Sequence, residues 1–198
     1  MVPLTETKSN RVAAWVSHVL NPAGLALVVF VVLTLLRREA WLAGVAGVVL
    51  YAVVPGLILV ALHRTGVITE LYPGERAQRG GLLLSGALCY FAGYGVLSWL
   101  QAPAAMLIAG CAFGLNALLV WGINQYWKIS IHAVGVSGGV SVLVLAGGAP
   151  LWPSLLALPL VAWARLRVGA HTPAQVMAGL LLGGCSTLLL RAFAFPAF

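Results

Sequence analysis

Two short segments carry the side chains that could do chemistry, each directly before a long apolar run. They read Lys128-Ile-Ser130-Ile-His132 and Arg165-Leu-Arg167-Val-Gly-Ala-His171-Thr-Pro-Ala-Gln175. The first turn of a helix carries unsatisfied N–H groups and a partial positive charge, so two such helix starts with Lys and Arg favour binding of a phosphate. A neutral imidazole could attack phosphorus there, and a protonated one could help the leaving oxygen depart. The two segments therefore predict a phosphate-handling site around His132 and His171.

These segments resemble the second and third signature motifs of the type-2 phosphatidic acid phosphatase family, which read P-S-G-H and S-R-x5-H-x3-D. Ser130 and His132 match the second motif, and Arg165 and His171 match the third with its spacing. The resemblance implies hydrolysis of a lipid phosphate or pyrophosphate without a metal or other cofactor. It also implies His171 as the nucleophile that forms a phosphohistidine, His132 as the general acid and Arg165 as a clamp on the phosphoryl oxygens.

The chain departs from the motifs of this family at several positions. Ile129 and Ile131 replace the Pro and the Gly of the second motif. Ala164 and Gln175 replace the Ser and the Asp of the third. The family's first motif, K-x6-R-P, is absent. Lys128, Arg76 and Arg79 are candidates for the phosphate contacts of that motif, Ser130 is a further candidate contact, and Arg167 is another candidate clamp.

Gln175 and Ser130 each allow two interpretations. The Gln175 carbonyl can accept a hydrogen bond from Nδ1–H of His171 and fix its tautomer, but it cannot stabilise an imidazolium by charge, which predicts a slow enzyme. Thr172-Pro-Ala-Gln175 also fits a capping box with Pro at the first helical position. Ser130 fits an N-cap as well as a phosphate contact. The sequence leaves both pairs of interpretations open.

The departures from the motifs also leave two other function classes open. The chain could bind or transport a lipid phosphate without cleaving it, as a degenerate phosphatase fold would, or it could be a structural membrane subunit. The sequence does not choose among phosphatidate, phosphatidylglycerol phosphate and isoprenoid phosphates, and it leaves the oligomeric state open.

The composition is that of a membrane protein. Of the 198 residues, 62% are hydrophobic and 8% are charged, and the mean hydropathy is +1.03. Soluble domains carry about 25% charged residues, so a soluble, disordered or collagen-like chain is excluded. The net charge of +7 is scattered among apolar runs, which favours membrane lipids and a lipid phosphate as partners and argues against nucleic acid. The histidines lack the spacing of metal-ligand pairs, so no metal site is expected.

Charge-free runs mark the predicted membrane spans. They cover Pro22–Leu36, 41–62, 81–127 with a turn at 101–103, 129–164 with a break at 147–150, and 174–192. These runs predict an all-α polytopic membrane bundle of six or seven helices in a single domain, 1–198. Residues 41–193 would form a six-helix core like that of the phosphatases. Residues 11–20 fit either a helix lying in the membrane interface or an extension of the first span.

The predicted spans distribute charge unevenly between the two ends of the bundle. Most basic residues and all four histidines fall at one end, which the positive-inside rule would place in the cytoplasm. Basic residues that bind phosphate would produce the same bias, so the sidedness stays open. The expected location is a prokaryotic cell membrane.

Overall fold

The computed structural model describes residues 8–68 and 76–196, and every regular element in these ranges is helical. The helices are α1 Lys8–Val19, α2 Pro22–Leu36, α3 Trp41–Val48, α4 Val54–Arg64, α5 Arg76–Trp99, α6 Ala104–Asn124, α7 Ile131–Gly147, α8 Ala157–Arg167 and α9 Pro173–Ala194. A π-helical turn, Val49–Val53, joins α3 to α4, and a 3₁₀ segment, Ala149–Leu156, precedes α8. The predicted all-α bundle is confirmed.

Within the described ranges, five helical stretches are long and apolar enough to cross a membrane. They are Arg38–Arg64, Gly80–Trp99, Ala104–Asn124, Ala149–Arg167 and Pro173–Ala194. The pair formed by α1 and α2, bent by 57°, makes a sixth candidate. α7 is apolar but only 17 residues long, at the lower limit for a span. Six candidate spans and one short helix match the predicted six or seven.

α1 is not a straight extension of α2. The 57° bend follows Val19, and Asn21 then caps α2 by accepting a 2.8 Å hydrogen bond from the backbone N–H of Gly24. α1 instead packs against α8. Val12 and Trp15 are exposed on its outer face, an arrangement that suits contact with lipid. Because the bent pair can form one broken span or an interfacial helix followed by a span, both alternatives for residues 11–20 stay open.

The π-helical turn ends two residues before Pro55. Proline has no N–H, and its ring crowds the carbonyl four residues earlier, here that of Tyr51, so the wider turn relieves the crowding within one continuous helix. The Tyr51 ring is fully buried, and its hydroxyl donates a 2.8 Å hydrogen bond to the Tyr90 carbonyl. Phe30 and Phe113 pack around this pair and form the aromatic centre of the bundle.

Glycines bring α7 and α9 into close contact. A Cβ on Gly179 would lie 2.8 Å from the carbonyl oxygen of Ser130, and a Cβ on Gly183 would collide with the carbonyl oxygen of Val134. Close backbone approach at small residues is a common basis of helix association in membranes. This contact sets the first turns of α7 and α9 side by side.

Successive helices run in opposite directions, so several helix termini lie together at one end of the bundle. The end of α6, the start of α7, the end of α8 and the start of α9 meet there, and we call this the basic end because Lys128 and Arg165 lie in it. Glu39 lies at the other end, beside the turn between α5 and α6.

Candidate functional site

A glycine turn connects the third-motif arginine to the third-motif histidine. Gly169 has a φ of +66°, a conformation that glycine adopts without strain. Its N–H donates to the Leu166 carbonyl at 3.0 Å, and the N–H of Ala170 donates to the Arg165 carbonyl at 3.2 Å. This is the Schellman pattern of a helix C-terminus. It ends α8 and returns the chain into α9, so that Arg165 and His171 line the same cavity.

Ser130 connects the starts of α7 and α9. Its N–H donates a 3.3 Å hydrogen bond to the Gln175 carbonyl, and its Oγ accepts a 3.4 Å bond from the N–H of Ala133 as the N-cap of α7. The side chain of Ser130 is fully buried and does not line the cavity. The cap interpretation is therefore observed, and the phosphate contact of Ser130 stays a prediction.

One cavity of about 610 Å³ opens at the basic end and extends between the helices. Lys128, His132, Arg165 and His171 line it at that end, and both histidines are buried. The remaining walls are mainly aliphatic, aromatic and glycine residues of α2, α4, α5, α6 and α7. The site thus combines a basic head region with an apolar interior.

Arg165 lines the cavity and keeps N–H donors that are not used within the described part of the chain. One Nη donates a hydrogen bond to Oγ of Ser17 on α1. Nε is buried and has no hydrogen-bond partner in the described part of the chain. A guanidinium carries five N–H donors in a planar fork that fits phosphate oxygens. Ser17 therefore orients a side chain whose remaining donors suit an anion in the cavity.

The side-chain oxygen of Gln175 contacts His171 and also takes part in the capping box of α9. Its Oε1 lies 3.2 Å from Nδ1 of His171 and accepts a 3.1 Å hydrogen bond from the N–H of Thr172. Oγ1 of Thr172 accepts a 3.4 Å bond from the N–H of Gln175, which completes the capping box. Because an amide oxygen only accepts, Nδ1 must carry the proton of a neutral His171. Nε2 then holds the lone pair that a nucleophile needs.

The charges in the cavity suit an anionic ligand. Glu39 is the one carboxylate side chain within residues 8–68 and 76–196, and it lies at the opposite end of the bundle. In those same ranges, no three His, Cys, Asp or Glu side chains are grouped so that they could hold a metal ion. Lys128 and Arg165 therefore give the head region a positive charge.

Of the other predicted phosphate contacts, one lies outside the cavity and two cannot be placed within the described residues. Arg167 is exposed in the last turn of α8 and does not line the cavity. Arg76 and Arg79 lie in the first turn of α5, and their side chains fall outside the described residues.

Sequence reasoning missed two polar residues in this region. Ser17 is separated from Arg165 by 148 positions, and nothing in its local pattern indicates that contact. Asn116 lies in the middle of α6, lines the cavity and is buried. A polar side chain in the middle of a span is expensive and therefore worth examining as functional, which is the signal that could have identified Asn116.

The chain was compared with protein-family models, with curated proteins and with solved structures, and none of the three comparisons found a match. The resemblance to the phosphatase family consequently rests on the two motifs alone and stays a prediction.

Proposed function

We propose that the protein hydrolyses a lipid phosphate or pyrophosphate, of the phosphatidate or isoprenoid class, through a phosphohistidine intermediate at the membrane interface. One observation carries this proposal: a single cavity joins two buried histidines, Arg165 and Lys128 to a long apolar interior. The histidines and the basic side chains suit a phosphate, and the apolar interior suits a lipid tail. Burial of the tail contributes about 25 cal/mol for each Å² of apolar surface removed from water.

The proposed reaction has two balanced steps. Nε2 of His171 attacks phosphorus, and the bond from phosphorus to the lipid oxygen breaks as the P–N bond forms. Protonated His132 gives its proton to that oxygen, so the lipid leaves as an alcohol (or, from a pyrophosphate, as the lipid monophosphate). Water then attacks the phosphohistidine while His132 takes up a proton, which releases phosphate and restores both histidines. Arg165 and Lys128 hold the phosphoryl oxygens.

Phosphate release by the purified protein in detergent tests the proposal. We would offer phosphatidate, a prenyl monophosphate and a prenyl diphosphate to the unchanged protein and to His171→Ala. We expect release from at least one lipid and a loss of at least about 10³-fold in His171→Ala, since the nucleophile is removed. Unchanged release in that variant would overturn the mechanism.

His63→Ala is the matched control for the loss of a histidine. His63 lies in the last turn of α4, and it does not line the cavity. We expect this variant to retain full activity and the same thermal unfolding temperature.

Gln175, the uncharged side chain that orients His171, favours a second candidate function. This function is binding or transport of lipid phosphates without cleavage. Gln175 supplies no negative charge to a developing imidazolium on His171. Binding of the lipids without any release of phosphate would select this second function. Absence of both binding and release would leave the structural-subunit alternative.

A further inference from the structure

The two faces of α1 differ in their chemistry. Ala13, Val16 and Ser17 are buried on the face toward α8, the main packing partner of α1 among the described residues. Trp15 lies two positions from Ser17, which is about 200° around the helix, and it is exposed on the outer face. Arg11, four positions before Trp15, is exposed on that same face. α1 is therefore an amphipathic helix with an uncovered outer face.

The positive charge of α1 lies at the end where it does not stabilise a helix. Lys8 and Arg11 are both in the first turn, which contains no acidic residue. The first turn bears a partial positive charge, so two cations there destabilise the helix. Anionic lipid headgroups would reverse this effect, because they attract basic residues at a membrane surface. Trp15 is typical of the same interface, so the outer face fits an anionic bilayer surface.

The inner face of α1 reaches the candidate site through one hydrogen bond. Oγ of Ser17 accepts this bond from an Nη of Arg165, whose remaining donors suit an anion in the cavity. α1 has only 12 residues, and a helix of that length is marginal on its own in water. The bond forms only while α1 lies on α8. A surface that stabilises α1 therefore also holds the guanidinium of Arg165 in place.

We propose that α1 docks on anionic lipid headgroups and that Ser17 couples this docking to Arg165, so that an anionic bilayer surface activates the site. The headgroups that bind α1 are activators and not substrates. They favour the state in which α1 lies on α8, and Ser17 holds Arg165 in that state alone. Ser17 is thus a positioning residue. The activation rests on the proposed function, whereas the docking of α1 does not.

Nanodiscs of two compositions test the coupling, one of phosphatidylcholine alone and one of phosphatidylcholine mixed equally with phosphatidylserine. Amide hydrogen exchange of α1 measures docking, and kcat/KM for the lipid phosphate that is hydrolysed fastest measures activation. In the anionic nanodiscs we expect exchange about fivefold slower, the effect of one basic residue at an anionic surface. We expect kcat/KM to be about tenfold higher, the effect of one hydrogen bond to a charged group.

Ser17→Ala separates docking from activation. It removes the hydroxyl that binds Arg165 and leaves the outer face unchanged, so exchange of α1 should still slow on the anionic surface while kcat/KM no longer responds. Ser17→Thr keeps a hydroxyl and should restore the response. Ser9→Ala is the matched control, since it removes a half-buried hydroxyl from the same helix, and it should behave as the unchanged protein.

Arg11→Glu reverses the charge of the outer face. We expect it to abolish both the slower exchange and the activation. Arg38→Glu is its matched control, because Arg38 is exposed in the 3₁₀ turn before α3, at the opposite end of the bundle. Both responses should persist in that variant. If Ser17→Ala itself releases α1 from α8, Arg11→Glu decides the coupling, since activation without docking would contradict it.

Failure of this inference and failure of the hydrolysis proposal would look different. Equal exchange of α1 in the two nanodiscs would overturn the docking, and activation that persists in Ser17→Ala would overturn the coupling. If phosphate is released equally in both nanodiscs, hydrolysis stands and the coupling is rejected. If no lipid releases phosphate, the hydrolysis proposal fails, and exchange still decides the docking. The dissociation constant of inorganic phosphate then decides the coupling, which equal constants or an absence of binding would reject.

Discussion

At the scale of single residues, Gln175 determines how fast the proposed reaction can run. Its Oε1 is already in place to receive Nδ1–H of His171, at 3.2 Å. Gln175→Glu keeps this reach and adds the missing negative charge, whereas Gln175→Asp would be one methylene short. We expect Gln175→Glu to raise kcat about tenfold or more, because a carboxylate stabilises the developing imidazolium. Steady-state release of phosphate measures the change.

The stability of the same variant provides its internal control. A glutamate at this position preserves the capping box and adds a negative charge near the positive end of α9, so a small rise in the thermal unfolding temperature is expected whatever Gln175 does in catalysis. A higher unfolding temperature with unchanged kcat would show that Gln175 only caps the helix.

The sequence predicted some of these residues and missed others for a physical reason. His171 and Gln175 are four positions apart on one helix, so a motif can report their contact. Asn116 and Ser186 meet across 70 positions, and Ser17 and Arg165 meet across 148. Such contacts depend on how helices are placed side by side, and local spacing does not contain that information.

At the scale of helices, the close packing of α7 and α9 holds the two histidines at one site. A Cβ on Gly183 would collide with the carbonyl oxygen of Val134, whereas a Cβ on the next residue, Gly184, would meet its nearest atoms at 3.9 Å. We expect Gly183→Ala to destabilise the fold by about 1–3 kcal/mol, the usual cost of overpacking, and to reduce phosphate release. Gly184→Ala should change neither. Thermal unfolding in detergent and the release assay compare the two variants.

The helices were easier to predict than their bends. Charge-free runs identified the spans because a charge in hydrocarbon is costly. The sequence left open whether the chain bends between α1 and α2, where the structure has a bend of 57°, and the π-helical turn before Pro55 was not predicted. The bend accompanies the packing of α1 against α8, and the π-helical turn accommodates Pro55 while Tyr51 packs into the aromatic centre. Hydropathy is insensitive to either contact.

At the scale of the whole molecule, the cavity makes the bundle suited to a substrate with two parts. The head region lies among helix termini, where N–H groups and basic side chains occur together. The apolar region lies between α4 and α5, where Gly56 and Gly86 both line the cavity and a Cβ on either would meet nothing within 4 Å. Open space bordered by glycine on both helices leaves room for a lipid tail.

Filling this space should affect long lipids selectively. Gly86→Leu places a side chain in the apolar region, and Gly95→Leu places the same side chain on α5 at an exposed position that does not line the cavity. We expect Gly86→Leu to lower kcat/KM for a long-chain lipid phosphate about tenfold or more, because each methylene kept out of apolar contact costs about 0.8 kcal/mol. A short-chain analogue should be hydrolysed at nearly the original rate, and Gly95→Leu should match the unchanged protein on both substrates. Equal losses for the two chain lengths in Gly86→Leu would contradict a tail site between α4 and α5, since a lipid held only by its phosphate would not sense how the apolar region is filled.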